Sequence, residues 1–146
     1  MKRHHPLQLA LVTGALAALA AATPVRAHHA FAAEFDSTQP ITLRGAVTRV
    51  EWINPHTWIH LDVKDSSGKV VEWMIEGGTP NTLLRRGVDK NSLPAGTEIV
   101  VEGYRAKNGT NRANGRDLTL PNGRKLFLGS SGTGAPADGK DPSEAK

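Results

Sequence analysis

Between Ile41 and Leu128 the apolar residues recur with a period of two, the spacing of half-buried β-strands. The clearest stretch is His56-Thr57-Trp58-Ile59-His60-Leu61-Asp62-Val63. Thr57, Ile59, Leu61 and Val63 fall on one face, and His56, Trp58, His60 and Asp62 on the other. Asp65-Ser66-Ser67-Gly68-Lys69 reads as a hairpin loop into a second strand, Val70 to Glu76, whose Val71, Trp73 and Ile75 share a face. The preceding segment, Ile41 to Trp52, opens with Ile41, Leu43 and Val47 on one parity and closes with Val50 and Trp52 on the other. A switch of parity inside one strand predicts a bulge or strong bend near Thr48-Arg49.

After Gly77-Gly78 the punctuation becomes that of a short helix: Thr79 as cap, Pro80 at the first position, Arg85 and Arg86 in the last turn and Gly87 at the close. Another strand is predicted over Thr97 to Arg105, with Ile99 and Val101 on one face and Val100 and Tyr104 on the other. An Asn- and Gly-rich loop, Lys107 to Asn114, leads to a last hairpin, Arg116 to Leu120 and Arg124 to Leu128, turned by Pro121-Asn122-Gly123. Three strands, a short helix, then two or three strands is the order of an OB-like Greek-key β-barrel, all-β with one short helix. The alternative is an open β-sandwich built from the same strands.

The ends of the chain read differently. Lys2, Arg3 and His4-His5 are followed by an Ala- and Leu-rich run from Leu7 to Ala22 and by Val25-Arg26-Ala27, the three parts of a cleaved signal peptide over residues 1–27. The run is shorter than the roughly 20 residues a membrane span needs, so export to a periplasm, without a stable span, is expected. Cleavage after Ala27 would leave His28 as the first residue; cleavage after Ala22 is the competing site. Residues 28–40 form a lead-in that Phe31 and Phe35 would pin to the barrel domain, assigned to 41–129. The segment 130–146 is small and polar without a bulky apolar residue, and is expected to be disordered.

The 146 residues less the 27 of the leader leave 119, one small domain. Lys2, Arg3 and Arg26 leave with the leader, so the precursor's net charge of +4 falls to +1. That balance gives no reason to expect nucleic acid or an acidic membrane surface as partner. The absence of cysteine excludes disulfides, thiol catalysis and Cys-ligated metals.

The segments His28-His29-Ala30-Phe31-Ala32-Ala33-Glu34-Phe35-Asp36, Val50-Glu51-Trp52-Ile53-Asn54-Pro55-His56-Thr57-Trp58-Ile59 and Gly103-Tyr104-Arg105-Ala106-Lys107, with the Glu76-Gly77-Gly78 bend, resemble a family of small, uncharacterised, exported proteobacterial proteins. The resemblance covers about His28 to Ser130. It brings no activity, substrate or catalytic residue, so function rests on the residues themselves.

An amino-terminal His28 would present its α-amine beside its own imidazole, and the two can chelate one Cu(II). One further imidazole would complete a site of three nitrogens, a histidine brace. His56 and His60 are the candidates, but four residues along a strand separates them by about 13 Å, so only one can join His28. His56 is favoured because Asn54-Pro55 starts its strand where a free N-terminus could reach. The opposing reading makes His28 and His29 part of a plain lead-in and the strand histidines packing residues.

Trp58 shares its face with His56 and His60, and Trp52 and Tyr104 join it if the strands neighbour as in an OB barrel. Such a face accepts ligands by stacking. In the competing reading Trp52 and Trp73 belong to the core. Glu72, Met74 and Glu76 alternate on the solvent side of their strand, but solvated alternation produces paired carboxylates routinely, and no catalytic constellation stands out. The expectation is therefore an exported periplasmic binding protein that takes a small ligand or protein partner on a face of His56, Trp58, His60, Trp52 and Tyr104. Copper held by His28 and His56 is the candidate metal site. The alternative is a metal-free accessory module docking on a periplasmic redox enzyme, and a copper oxygenase is the enzymatic third option.

Overall fold

The computed structural model describes residues 31 and 33–129; the segment expected as a signal peptide, His28, His29 and the segment 130–146 lie outside the described residues. Six strands and one short helix follow in the order β1 (Phe35–Glu51), β2 (Trp58–Lys64), β3 (Val70–Glu76), α1 (Pro80–Arg85), β4 (Glu98–Ala106), β5 (Arg112–Thr119) and β6 (Lys125–Phe127). β1 begins within the expected lead-in, because Phe35 pairs with Ala106 and Pro40 with Tyr104 before the regular ladder with β4 sets in at Ile41.

The fold is all-β with one short helix, and its strands close partly into a ring. β1 pairs with both β2 and β4, β2 with β3, and β4 with β5, all antiparallel. The ring is completed by a parallel pairing of β3 with β5, Met74 opposite Arg112, Ile75 opposite Ala113 and Glu76 opposite Asn114. This 1-2-3-5-4 cycle, with the helix between β3 and β4, is the barrel-like arrangement expected of an OB-like chain.

A strand that serves two neighbours must bend, and β1 does so at the predicted place: its register against β2 shifts between Val47 and Arg49. Beyond that shift Val50 and Trp52 pack against the core, which explains the change of parity. The inner face carries Leu43, Val47, Ile59, Leu61, Ile75 and Ile99, all buried. Thr79 caps α1, its Oγ1 accepting from the Thr82 N–H at 3.2 Å, and the helix delivers Leu83 to the same core. Arg86, at the end of α1, turns to β6. Its guanidinium lies 4.7 Å from the centre of the Phe127 ring and donates to the Gly129 carbonyl.

The segment Arg112 to Asn114, expected as loop, is strand. Ala113 is fully buried in the core and Asn114 is buried beside β3, so the ladder extends over residues with almost no apolar pattern. Close strand contact at this point requires Gly103, where a Cβ would stand 2.0 Å from the Asn114 carbonyl oxygen. The atoms it would meet are all backbone of β5, which cannot swing aside as a side chain could. Gly103→Ala is expected to destabilise the protein by about 2 kcal/mol, read as a lower urea midpoint at unchanged slope.

Candidate functional site

Across the outer face, register places Trp58, Glu76 and Asn114 in one row of β2, β3 and β5, and His60, Met74 and Arg112 in the next. Directly opposed residues share a face of the sheet. The lead-in lies against this region. Residues 31, 33 and 34 are helical, and Phe31, Phe35, Tyr104 and Ala106 form a small apolar cluster in which Phe31 meets Tyr104 edge-on at 5.7 Å. The Lys107 N–H donates to the Glu34 carbonyl at 2.9 Å, and the Glu34 carboxylate lies 3.7 Å from Arg112. Arg112 in turn stacks 4.6 Å over the Trp58 ring. A groove of about 290 Å³ runs between the lead-in and the end of β4, lined by residues that include Glu34, Phe35, Ala106, Lys107 and Arg112.

His56 precedes β2 at the same end of the ring. Its neighbour Thr57 is tied to the Gly77-Gly78 bend by two backbone hydrogen bonds, Thr57 N–H to the Gly78 carbonyl and Gly77 N–H to the Thr57 carbonyl. That bend turns His56 Nδ1 toward the Gly77 carbonyl, 3.3 Å away, and toward Glu76 Oε1 at 3.8 Å. Nε2 makes no hydrogen bond among the described residues, and the side chain is part-exposed.

Glu76 was expected on the solvent side of β3; it is buried, 8% exposed. The Asn114 side-chain N–H donates to its Oε1 at 3.2 Å, while Asn114 Oδ1 is buried without a hydrogen-bond partner. Burial pushes the Glu76 carboxyl above its ordinary value, opposed by His56 and the Asn114 hydrogen bond. A carboxyl whose folded value is raised binds its proton more tightly in the native state. Stability therefore declines as pH climbs above about 4.5, the ordinary value. Glu76→Gln removes the penalty and keeps an acceptor for Asn114. The thermal midpoint of the variant is expected to exceed the parent's near pH 7 and to converge with it in acid.

His60 occupies a different environment from His56. It is 1% exposed, with Nδ1 2.8 Å from Glu72 Oε1 and Nε2 2.8 Å from Glu51 Oε1. Arg49, across the ladder from His60, reaches Glu51 at 3.3 Å and Glu72 at 3.9 Å. The Glu51 carboxyl is held below its usual range, first by the hydrogen bond from His60 and then by that from Arg49. Buried with a carboxylate 2.8 Å from each ring nitrogen, His60 is not accessible to a ligand.

Of the five residues expected to share a binding face, the structure brings His56 and Trp58 together and separates the rest. His60 is sealed beneath Glu51 and Glu72. Trp52 packs against the core because β1 bends before it, and it lines a different groove with Leu93 and Pro94. Tyr104 is covered by Phe31 and Phe35 of the lead-in. Glu34, Glu76, Arg112 and Asn114, absent from the sequence-derived face, stand beside His56 and Trp58 instead. One signal for Glu76 was present: it ends β3 at the Gly77-Gly78 bend, the turn that carries the chain past His56.

Among the described residues no group of three His, Cys, Asp or Glu is placed to hold a metal ion. A metal here requires donors from outside that set, and His28 is three residues upstream of the buried Phe31. No helix among the described residues is long and apolar enough to cross a membrane. No curated protein and no solved structure matches the chain. A family model does match, over residues 15–115, more than half of the sequence, and the chain belongs to that family of unknown function, DUF6152.

Proposed function

We propose that this is an exported periplasmic protein that binds Cu(II), with His28 supplying its α-amine and imidazole and His56, beside the Gly77-Gly78 bend, a third nitrogen. Three nitrogen donors suit Cu(II). The observation that carries the reading is the docking of the lead-in beside Trp58 and Glu76, through Phe31 on Tyr104 and Glu34 on Arg112. From Phe31 back to His28 is three residues, a reach of at most about 11 Å. A chain cut after Ala27 would carry its amino terminus within that reach of Phe31.

The site has the character of a binding site. Its polar groups hold one another in place, and none is arranged as a nucleophile with its base. The reading is tested by adding two residues ahead of His28 in the exported protein, which leaves both imidazoles and removes the α-amine from the chelate. The extended protein is expected to surrender copper to a competing chelator that the native protein withstands. Equal retention by the two would refute an amine ligand.

A further inference from the structure

The geometry points to His60 as a proton-held latch: its ring carries a proton on each nitrogen, clamps Glu51 and Glu72 across β1, β2 and β3, and releases Glu72 when one proton is lost. The latch operates without copper and without His56.

The need for two ring protons follows from the hydrogen-bond partners. Nδ1 lies 2.8 Å from Glu72 Oε1, and Nε2 lies 2.8 Å from Glu51 Oε1. An ionised carboxylate only accepts, and a neutral imidazole donates from one nitrogen alone. A neutral ring would therefore set one lone pair against a carboxylate oxygen, in a side chain that is 1% exposed. A second ring proton turns that repulsion into a second charge-assisted hydrogen bond. Charge balances in the same state. The groups around the ring are Glu51 and Arg49 of β1, Glu72 of β3 and, along its own strand, Asp62, which stands opposite Glu72. Met74 of β3 separates the ring from Arg112 of β5 in the same row. The imidazolium and Arg49 together offset Glu51 and Glu72, whereas a neutral ring leaves both carboxylates to Arg49.

The two carboxylates are not equivalent. Glu51 also accepts from Arg49 at 3.3 Å, and its carboxyl is held below the usual range by His60 and then by Arg49. Glu72 lies 3.9 Å from Arg49, and its side chain is half exposed. Loss of one ring proton leaves Nε2–H on Glu51 and frees Glu72 to turn to water, which uncovers Nδ1. A proton that the native unit holds and the unfolded chain does not makes stability fall as pH rises through its release.

The experiment follows the ring nitrogens by NMR in full-length protein carrying isotope-labelled histidine, as pH is raised from about 7.5, where a free imidazole is largely neutral. Glu72→Gln, whose amide can donate to a bare nitrogen, is the comparison, and thermal unfolding is measured on both. The latch predicts two ring protons on His60 in the parent at about pH 7.5 and one in Glu72→Gln. The parent's thermal midpoint should exceed the variant's there and converge with it as the second proton leaves. A single ring proton in the parent would overturn the latch and place the bridging proton on a carboxylate. Two ring protons in Glu72→Gln, a midpoint gap unchanged as the proton leaves, or a parent ring that keeps both until unfolding would each overturn it too. Should Glu72→Gln fail to fold, the count of ring protons in the parent decides.

Discussion

Replacing His60 with alanine is expected to cost the fold about 3 kcal/mol at pH 7, the scale of deleting a buried ring from a site that cannot collapse around the gap. The ring is 1% exposed at the centre of a three-strand surface, under side chains from both neighbouring strands. Its removal also leaves Glu51 and Glu72 without the group that lies 2.8 Å from each. Urea unfolding gives the difference directly, and a loss below about 1 kcal/mol would show that the ring contributes little packing.

The pH dependence carries the electrostatic part. Glu51 is depressed below its ordinary 4.5 by its hydrogen bonds from His60 and Arg49. A depressed carboxyl stabilises the native state above its unfolded value, and that contribution is lost as pH falls through the folded one. The gap between parent and His60→Ala should therefore narrow in acid, below about 4.5. A gap independent of pH would assign the whole effect to packing.

The second large effect concerns metal. His56→Ala is expected to lower Cu(II) affinity at least about 100-fold, since it removes one of only three proposed nitrogen donors. Its fold should be unchanged, because the side chain is part-exposed and the bend is held by the backbone bonds of Thr57 with Gly77 and Gly78. His60→Ala gives the converse: a destabilised protein whose copper affinity is retained below its unfolding temperature. Should the two substitutions exchange effects, His60 would be the ligand and the carboxylate lock around it would have to open.

Much of the architecture was legible because alternation reports which side of a strand meets the core. Ile59, Leu61 and Ile75 fell on the inner face as their parity required, the parity switch in β1 marked its bend, and Thr79-Pro80 marked the start of α1. Alternation says nothing about what covers the other side. Glu51 and Glu72 have side chains long enough to fold over His60, and the lead-in brings Phe31 onto Tyr104. Neither event leaves a periodic trace.

The closure of the ring was illegible for a related reason. Arg112-Ala113-Asn114 contains one small apolar residue, and its strand character comes from backbone pairing with β3, nearly forty residues earlier, at a point where Gly103 permits close approach. That pairing sets Asn114 opposite Glu76 and Arg112 opposite Met74, in reach of the contacts each makes in the candidate site. Trp52, by contrast, was displaced by a feature the sequence did show, since the bend that moves it toward the core is the one its own parity implied.

We propose above all that the chain is exported, begins at His28 and holds one copper through it. A native mass spectrum of the protein purified from a periplasm, taken before and after one equivalent of Cu(II) in the presence of a competing chelator, measures the terminus and the stoichiometry together. The account predicts a chain that starts at His28 and retains one copper ion. A chain that starts at Thr23, or one that starts at His28 and gives its copper up, would contradict it.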